Sequence, residues 1–108
     1  MNRAPLAILI LAMTLSLNTV AFAQKAKTDL GKKEYELQCA ICHGPDLKGL
    51  GPIPGIAGRS PSYIVRQLYD FKHGARAGIG SALMKPTVEK LVLEDMIALA
   101  AYAASLPP

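Results

Sequence analysis

The sequence predicts an all-α domain. Three observations carry that expectation: apolar residues recur at helical intervals, no segment alternates with the period of a strand, and two glycine- and proline-rich stretches punctuate the chain. At 108 residues there is room for one small domain. An apolar content of 51% against 19% charged residues excludes a disordered chain. Two cysteines are too few for a disulfide-dense scaffold or a four-cysteine zinc site. With no tryptophan, four tyrosines and two phenylalanines, a base-stacking nucleic-acid surface is not expected.

The first segment reads as an address. Arg3 gives a positive start, an uncharged apolar run follows from Leu6 to Leu17, and Ala21 and Ala23 stand two apart in the Ala-x-Ala pattern of a signal-peptidase site. Residues 1–23 are therefore expected to be a cleaved secretory signal and 24–108 the mature domain, exported to the periplasm. The alternative is an uncleaved anchor, because no charge lies between Arg3 and Lys25. Cleavage leaves 85 of the 108 residues, lowers the formal charge from +4 to +3, and leaves no membrane segment. A chain that short buries a modest core and needs help from a metal, a cofactor or crosslinks.

Three helices are expected in the mature chain. The first runs from about Thr28 to Gln38, with Leu30, Tyr35 and Leu37 set among charges. Five glycines and three prolines between Gly44 and Gly58 make a loop. Ser60-Pro61 reads as an N-cap with proline in the first turn. Ile64, Leu68 and Phe71 then form one apolar face, and Gly74 is a plausible stop. A second loop is expected from Gly74 to Pro86. The last helix runs from about Leu93 to Ser105, with Met96, Leu99, Ala103 and Leu106 on one side and Pro107-Pro108 behind it.

Both cysteines lie in Cys39-Ala40-Ile41-Cys42-His43, the attachment signature for c-type haem. Each thiol adds to a vinyl group as a thioether, and the following histidine supplies an imidazole to the iron. One covalently bound haem c per chain would supply the missing core. A Cys39–Cys42 disulfide and a thioredoxin-like pair use the same spacing, but the βαβ elements of the latter are missing. Zinc would need further Cys or His ligands, and the other histidine is His73.

Several separated pieces now add up to a resemblance. They are Gly31-x-x-x-Tyr35, Cys39–Pro45, Pro54-Gly-Ile-Ala-Gly58, Ser60–Tyr63 leading to Gln67-Leu68-x-x-Phe71-Lys72-x-Gly74, Met84, and Ala98–Tyr102. Residues 24–108 resemble a class I c-type cytochrome, and in particular the small bacterial cytochromes whose single-haem unit is duplicated in periplasmic dihaem proteins. The resemblance implies an all-α fold of three main helices wrapped round one haem. It also implies an electron-transfer protein with no catalysis of its own.

The motif and the resemblance imply His43 as the first axial iron ligand. For the second, the candidates are Met84, Met96, His73 and the lysines. Met84 lies in the second expected loop, 41 residues past His43, and the resemblance places the ligand there. Met96 sits on the apolar face of the last helix, where methionine is more often packing. His73 ends the middle helix, and its plain reading is an exposed side chain. A His/Met pair favours Fe(II) and raises the potential relative to two histidines.

The family pattern implies further roles. A loop proline carbonyl holds the ligand histidine, and the match falls on Pro54, with Pro52 the competitor. Gly31 and Tyr35 match the pair that crosses Leu99 and Tyr102. Arg59 is a candidate contact for a haem propionate; its alternative is a solvated arginine. Lys48, Lys72, Arg76 and Lys85 are candidates for a positive rim that steers towards acidic partner surfaces.

The expected function is a monomeric periplasmic one-electron carrier between redox proteins, cycling Fe(III)/Fe(II). One alternative is an electron-accepting subunit of a dehydrogenase, such as a sulfide- or alcohol-oxidising complex. A second is a haem enzyme or gas sensor with a labile sixth ligand. No nucleic-acid partner is expected.

Overall fold

The computed structural model describes residues 4–108, all helix and loop apart from an isolated bridge between Leu50 and Ile53. The helices are α1 (Ala4–Gln38), α2 (Ala40–His43), α3 (Pro61–His73), α4 (Ile79–Val88) and α5 (Leu93–Ser105). Arg3, the positive start of the expected signal segment, lies outside the described residues.

The first helix is much longer than the expected Thr28–Gln38. It begins at Ala4 and crosses Ala23 and Gln24 without a break. Proline stands only in its first turn, and no glycine interrupts it before Gly31. The hydroxyls of Thr14, Ser16 and Thr19 donate back to carbonyls three or four residues earlier, at 2.8–3.0 Å, so the polar residues of the apolar segment do not break it. Among the described residues that segment packs on nothing; Leu6 to Phe22 are exposed throughout. Its length and a mean hydropathy of 2.1 over 18 residues would suffice to cross a membrane.

The C-terminal half of α1 crosses α5. Gly31 sits at the crossing, where an added Cβ would lie 1.9 Å from the Ala98 carbonyl oxygen, so only glycine allows this approach. Around it the rings of Tyr35 and Tyr102 meet at 5.7 Å between centroids, tilted by 57°. Met96, Leu99, Ala100 and Ala103 of α5 are buried together with Ile64 of α3, Val88 of α4, and Leu47 and Leu91.

The helix signals of α3 form as read. Ser60 Oγ accepts from the Tyr63 N–H at 3.4 Å, Pro61 opens the helix, and Gly74 adopts φ 72°. The Ala75 N–H then donates to Asp70 O at 2.9 Å and the Gly74 N–H to Phe71 O at 3.4 Å, a Schellman ending. In α5, Asp95 Oδ2 accepts from the Val92 N–H at 2.9 Å, so an acid inside the first turn caps the helix.

The expected second loop needs correction. Only Gly74 to Gly78 is loop; Ile79–Val88 forms α4, with Met84 on a helix. Gly78, at φ 120°, starts it, and its carbonyl accepts from the Ala82 N–H at 3.2 Å. Pro86 stands in the last turns, where it removes one backbone bond, and burial of Val88 holds that end on the core.

Candidate cofactor site

The site begins where α1 ends. The Cys39 N–H donates to Tyr35 O at 2.8 Å, and the N–H groups of Cys42 and His43 donate to Cys39 O at 3.2 and 2.9 Å. Cys39 to His43 is therefore one helical turn. Cys42 and His43, three and four residues on, share a face with Cys39. Both cysteines are free thiols, Cys42 exposed and Cys39 half-buried. Before haem is attached, burial, then Glu34 and Cys42, push the Cys39 thiol up to about 11.

His43 is buried, and Nδ1 lies 2.9 Å from the carbonyl oxygen of Pro54. With Nδ1–H donating there, the lone pair is on Nε2 and the ring cannot turn freely. Pro52 makes no such contact. The segment that presents Pro54 is folded tightly on itself. Leu47 is fully buried at φ 61°, and its carbonyl accepts from the Ile56 and Ala57 N–H groups at 2.8 and 3.0 Å. A Cβ on Gly49 would lie 2.3 Å from Ile53 O, so a side chain there would push the proline loop off. The Gly49 N–H donates to His43 O at 2.8 Å, and Gly58 donates to Ala103 O at 2.9 Å, tying the loop to the histidine and to α5.

A second clamp comes from α1. The Tyr35 hydroxyl donates to the carbonyl of Gly44, next to His43. Burial foremost, with Cys39, Tyr102 and Asp46 adding to it, raises the phenol far above its usual range, so Tyr35 remains a donor. In sequence Tyr35 shows only a helix-crossing role, because nothing marks the Gly44 carbonyl as its acceptor.

Met84 is half-buried on α4, packed against the core as are Cys39, Ile56, Leu68 and Phe71. Met96 is only 2% exposed inside that core. His73 is exposed, its Nδ1 2.9 Å from Tyr69 O and its ring stacked on Tyr69 at 4.0 Å. Arg59 is exposed, with its guanidinium 5.7 Å from the Tyr63 ring. It lines a groove of about 520 Å³ with Leu47, Lys48, Gly55, Ala57, Gly58 and Pro108, separate from Cys39, Cys42, His43 and Met84.

The basic rim is smaller than expected. Lys48 and Lys85 are exposed. Arg76 donates to Gln67 Oε1 at 2.7 Å and lies 4.2 Å from the Phe71 ring. Lys72 is not a free surface charge: it is half-buried and donates to Leu91 O at 2.5 Å.

Among the described residues no three His, Cys, Asp or Glu side chains converge on a metal position, so a bare ion has no donor set. Haem fits better. Two free thiols and an imidazole with a fixed tautomer share one helical turn. Cys39 itself packs against the same apolar core as the half-buried Ile56, Leu68, Phe71 and Met84.

The family model described as cytochrome c matches residues 28–107. The chain is 40% identical over 68 residues to cytochrome c-554(548) of Halomonas halodenitrificans, spanning 62% of this chain and 82% of that protein. It is 36% identical over 84 residues to the cytochrome subunit of sulfide dehydrogenase of Chlorobaculum tepidum, 78% of this chain and 74% of that one. The crystal structure of reduced recombinant cytochrome c4 from Pseudomonas stutzeri superposes with a TM-score of 0.70 at 28% identity. That match covers 77% of this chain but only 50% of the other.

Proposed function

The chain belongs to the cytochrome c family, and from that premise we propose that it is a periplasmic one-electron carrier with His43 and Met84 as its axial iron ligands. Membership brings one covalently bound haem c to the single Cys39–His43 motif. When bound, that group supplies a reversible one-electron change between Fe(III) and Fe(II).

The chain's own residues do the rest. Cys39 and Cys42 tether the group as thioethers, and His43 offers Nε2 because Nδ1–H is committed to Pro54 O. Met84 offers a thioether, a weak donor that favours the reduced iron. Were His43 and Met84 both to hold the iron, oxygen and peroxide would find no place on it, which suits a carrier and not a catalyst. The observation that carries the proposal is the fixed His43 tautomer on the turn of the two free thiols, with Met84 the half-buried methionine and Met96 sealed in the core.

Carbon monoxide binding and the far-red thioether-to-iron band test it. The oxidised protein should show the band, and the reduced protein should take up the gas slowly. Met84→Ala should abolish the band and admit carbon monoxide, while Met96→Leu and His73→Ala should change neither. A wild-type protein that binds the gas readily overturns both the ligand assignment and the simple-carrier reading.

A second reading has its own support. The similarity to a sulfide dehydrogenase cytochrome subunit, over 74% of that protein, favours an electron-accepting subunit. Purification from the native source decides between them: a lone cytochrome supports the carrier, and a co-purifying dehydrogenase supports the subunit.

A further inference from the structure

We propose that Lys72 is a positioning residue for Met84: by donating to the Leu91 carbonyl it pins the junction of α4 and α5 to α3. The inference rests on the reading of Met84 as an axial ligand. Lys72 belongs to α3, and the acceptor lies 19 residues further on, where the chain turns from α4 into α5. Among the described residues Lys72 forms no ion pair, so its charge is directed at a backbone oxygen. A charged donor makes a stronger hydrogen bond than a neutral one. A solvated rim lysine would be neither half-buried nor within 2.5 Å of one carbonyl.

The position of that bond matters because α4 holds itself poorly. It has 10 residues, no side-chain cap at Gly78, and Pro86 inside it. A helix so short and interrupted depends on tertiary contacts. Its N-terminal half supplies few: Ile79 is 86% and Leu83 73% exposed, and a Cβ on Gly80 would meet nothing within 4 Å. The other end is fixed. Val88 and Leu91 are buried, and the Leu91 N–H donates to Val88 O at 3.1 Å. Met84 is four residues before Val88, on the same face of the helix. Lys72 therefore holds the anchored end of the element whose middle carries the thioether.

Ligand exchange on the oxidised, haem-loaded protein tests this. At saturating imidazole, loss of the far-red band reports how often Met84 lets go. Lys72→Met, similar in length but without donor or charge, should speed that loss about tenfold, the scale of one charged hydrogen bond. Lys72→Arg keeps a donor and should stay within about twofold of wild type, as should Lys90→Met, which removes an exposed charge beside Leu91. Far-UV circular dichroism should be alike in all three. Lys72→Met exchanging at the wild-type rate, or Lys90→Met matching it, overturns the inference. Met84→Ala separates the two failures. If Met84→Ala binds imidazole no faster than wild type, the axial reading falls and this inference with it. If Met84→Ala is fast and Lys72→Met is not, only the role of Lys72 falls.

Discussion

Gly31→Ala should destabilise the protein although alanine is the better helix former. The added Cβ would lie 1.9 Å from Ala98 O, 2.5 Å from Ala98 C and 3.0 Å from Tyr102 Cβ, against an ordinary contact of 3.4–4 Å. The obstacle is the backbone of α5, which cannot rotate away as a side chain tip could. Restoring contact distance moves the helices apart by roughly 1.5 Å, enough to forfeit much of the dispersion between their facing side chains. Overpacking of this kind costs about 3 kcal/mol at its upper range. Helix propensity returns about 1 kcal/mol, and the net loss is about 2 kcal/mol. Urea denaturation of the haem-loaded protein, followed by far-UV circular dichroism, should show a midpoint lowered by about 1 M or more. Gly80→Ala is the matched control, since nothing lies within 4 Å of its added Cβ. It should raise stability by up to about 1 kcal/mol. A Gly31→Ala midpoint at or above wild type, or one no lower than that of Gly80→Ala, would refute the close approach of α1 and α5.

Two further outcomes are expected. Intact mass of the exported protein should correspond to residues 24–108 with one covalent haem; a product without haem, or with two, sinks the site, and one retaining residues 1–23 makes the protein membrane-anchored. Electron exchange with the physiological partner should slow as salt rises, and charge reversal at Lys48 or Lys85 should cost more than at Lys27. Equal effects at all three would reduce the rim to a net-charge effect.

The parts of the fold written in local chemistry were legible. Ser60-Pro61 and Gly74 mark α3 because a cap, a fixed φ and a left-handed turn are each properties of one residue type. The length of α1 is less legible: the apolar segment and the charged one behind it differ in composition, yet no glycine or proline divides them and the helix runs through both. The helix α4 is hidden for the opposite reason. Gly78, Gly80, Ser81 and Pro86 all signal loop, and the helix forms because Val88 and Met84 find apolar partners that the local sequence does not display.

The same division runs through the site. The attachment turn is legible because its chemistry lies in five consecutive residues, Cys39 to His43. Met84 is legible only through the resemblance, since a distance of 41 residues carries no signal of its own. The supporting contacts are harder still. His43, Tyr35 and Lys72 are conspicuous donors, but their acceptors are the carbonyls of Pro54, Gly44 and Leu91. Every residue offers a carbonyl, so the residue type at the acceptor position says nothing about being one. A sequence can therefore advertise a donor and leave its destination unwritten. In sequence Lys72 therefore reads as a rim charge, because its acceptor lies 19 residues away. The three acceptors lie in the proline loop, the turn after the histidine, and the α4–α5 junction, so the backbone path of these connections helps to set where the site's side chains are held.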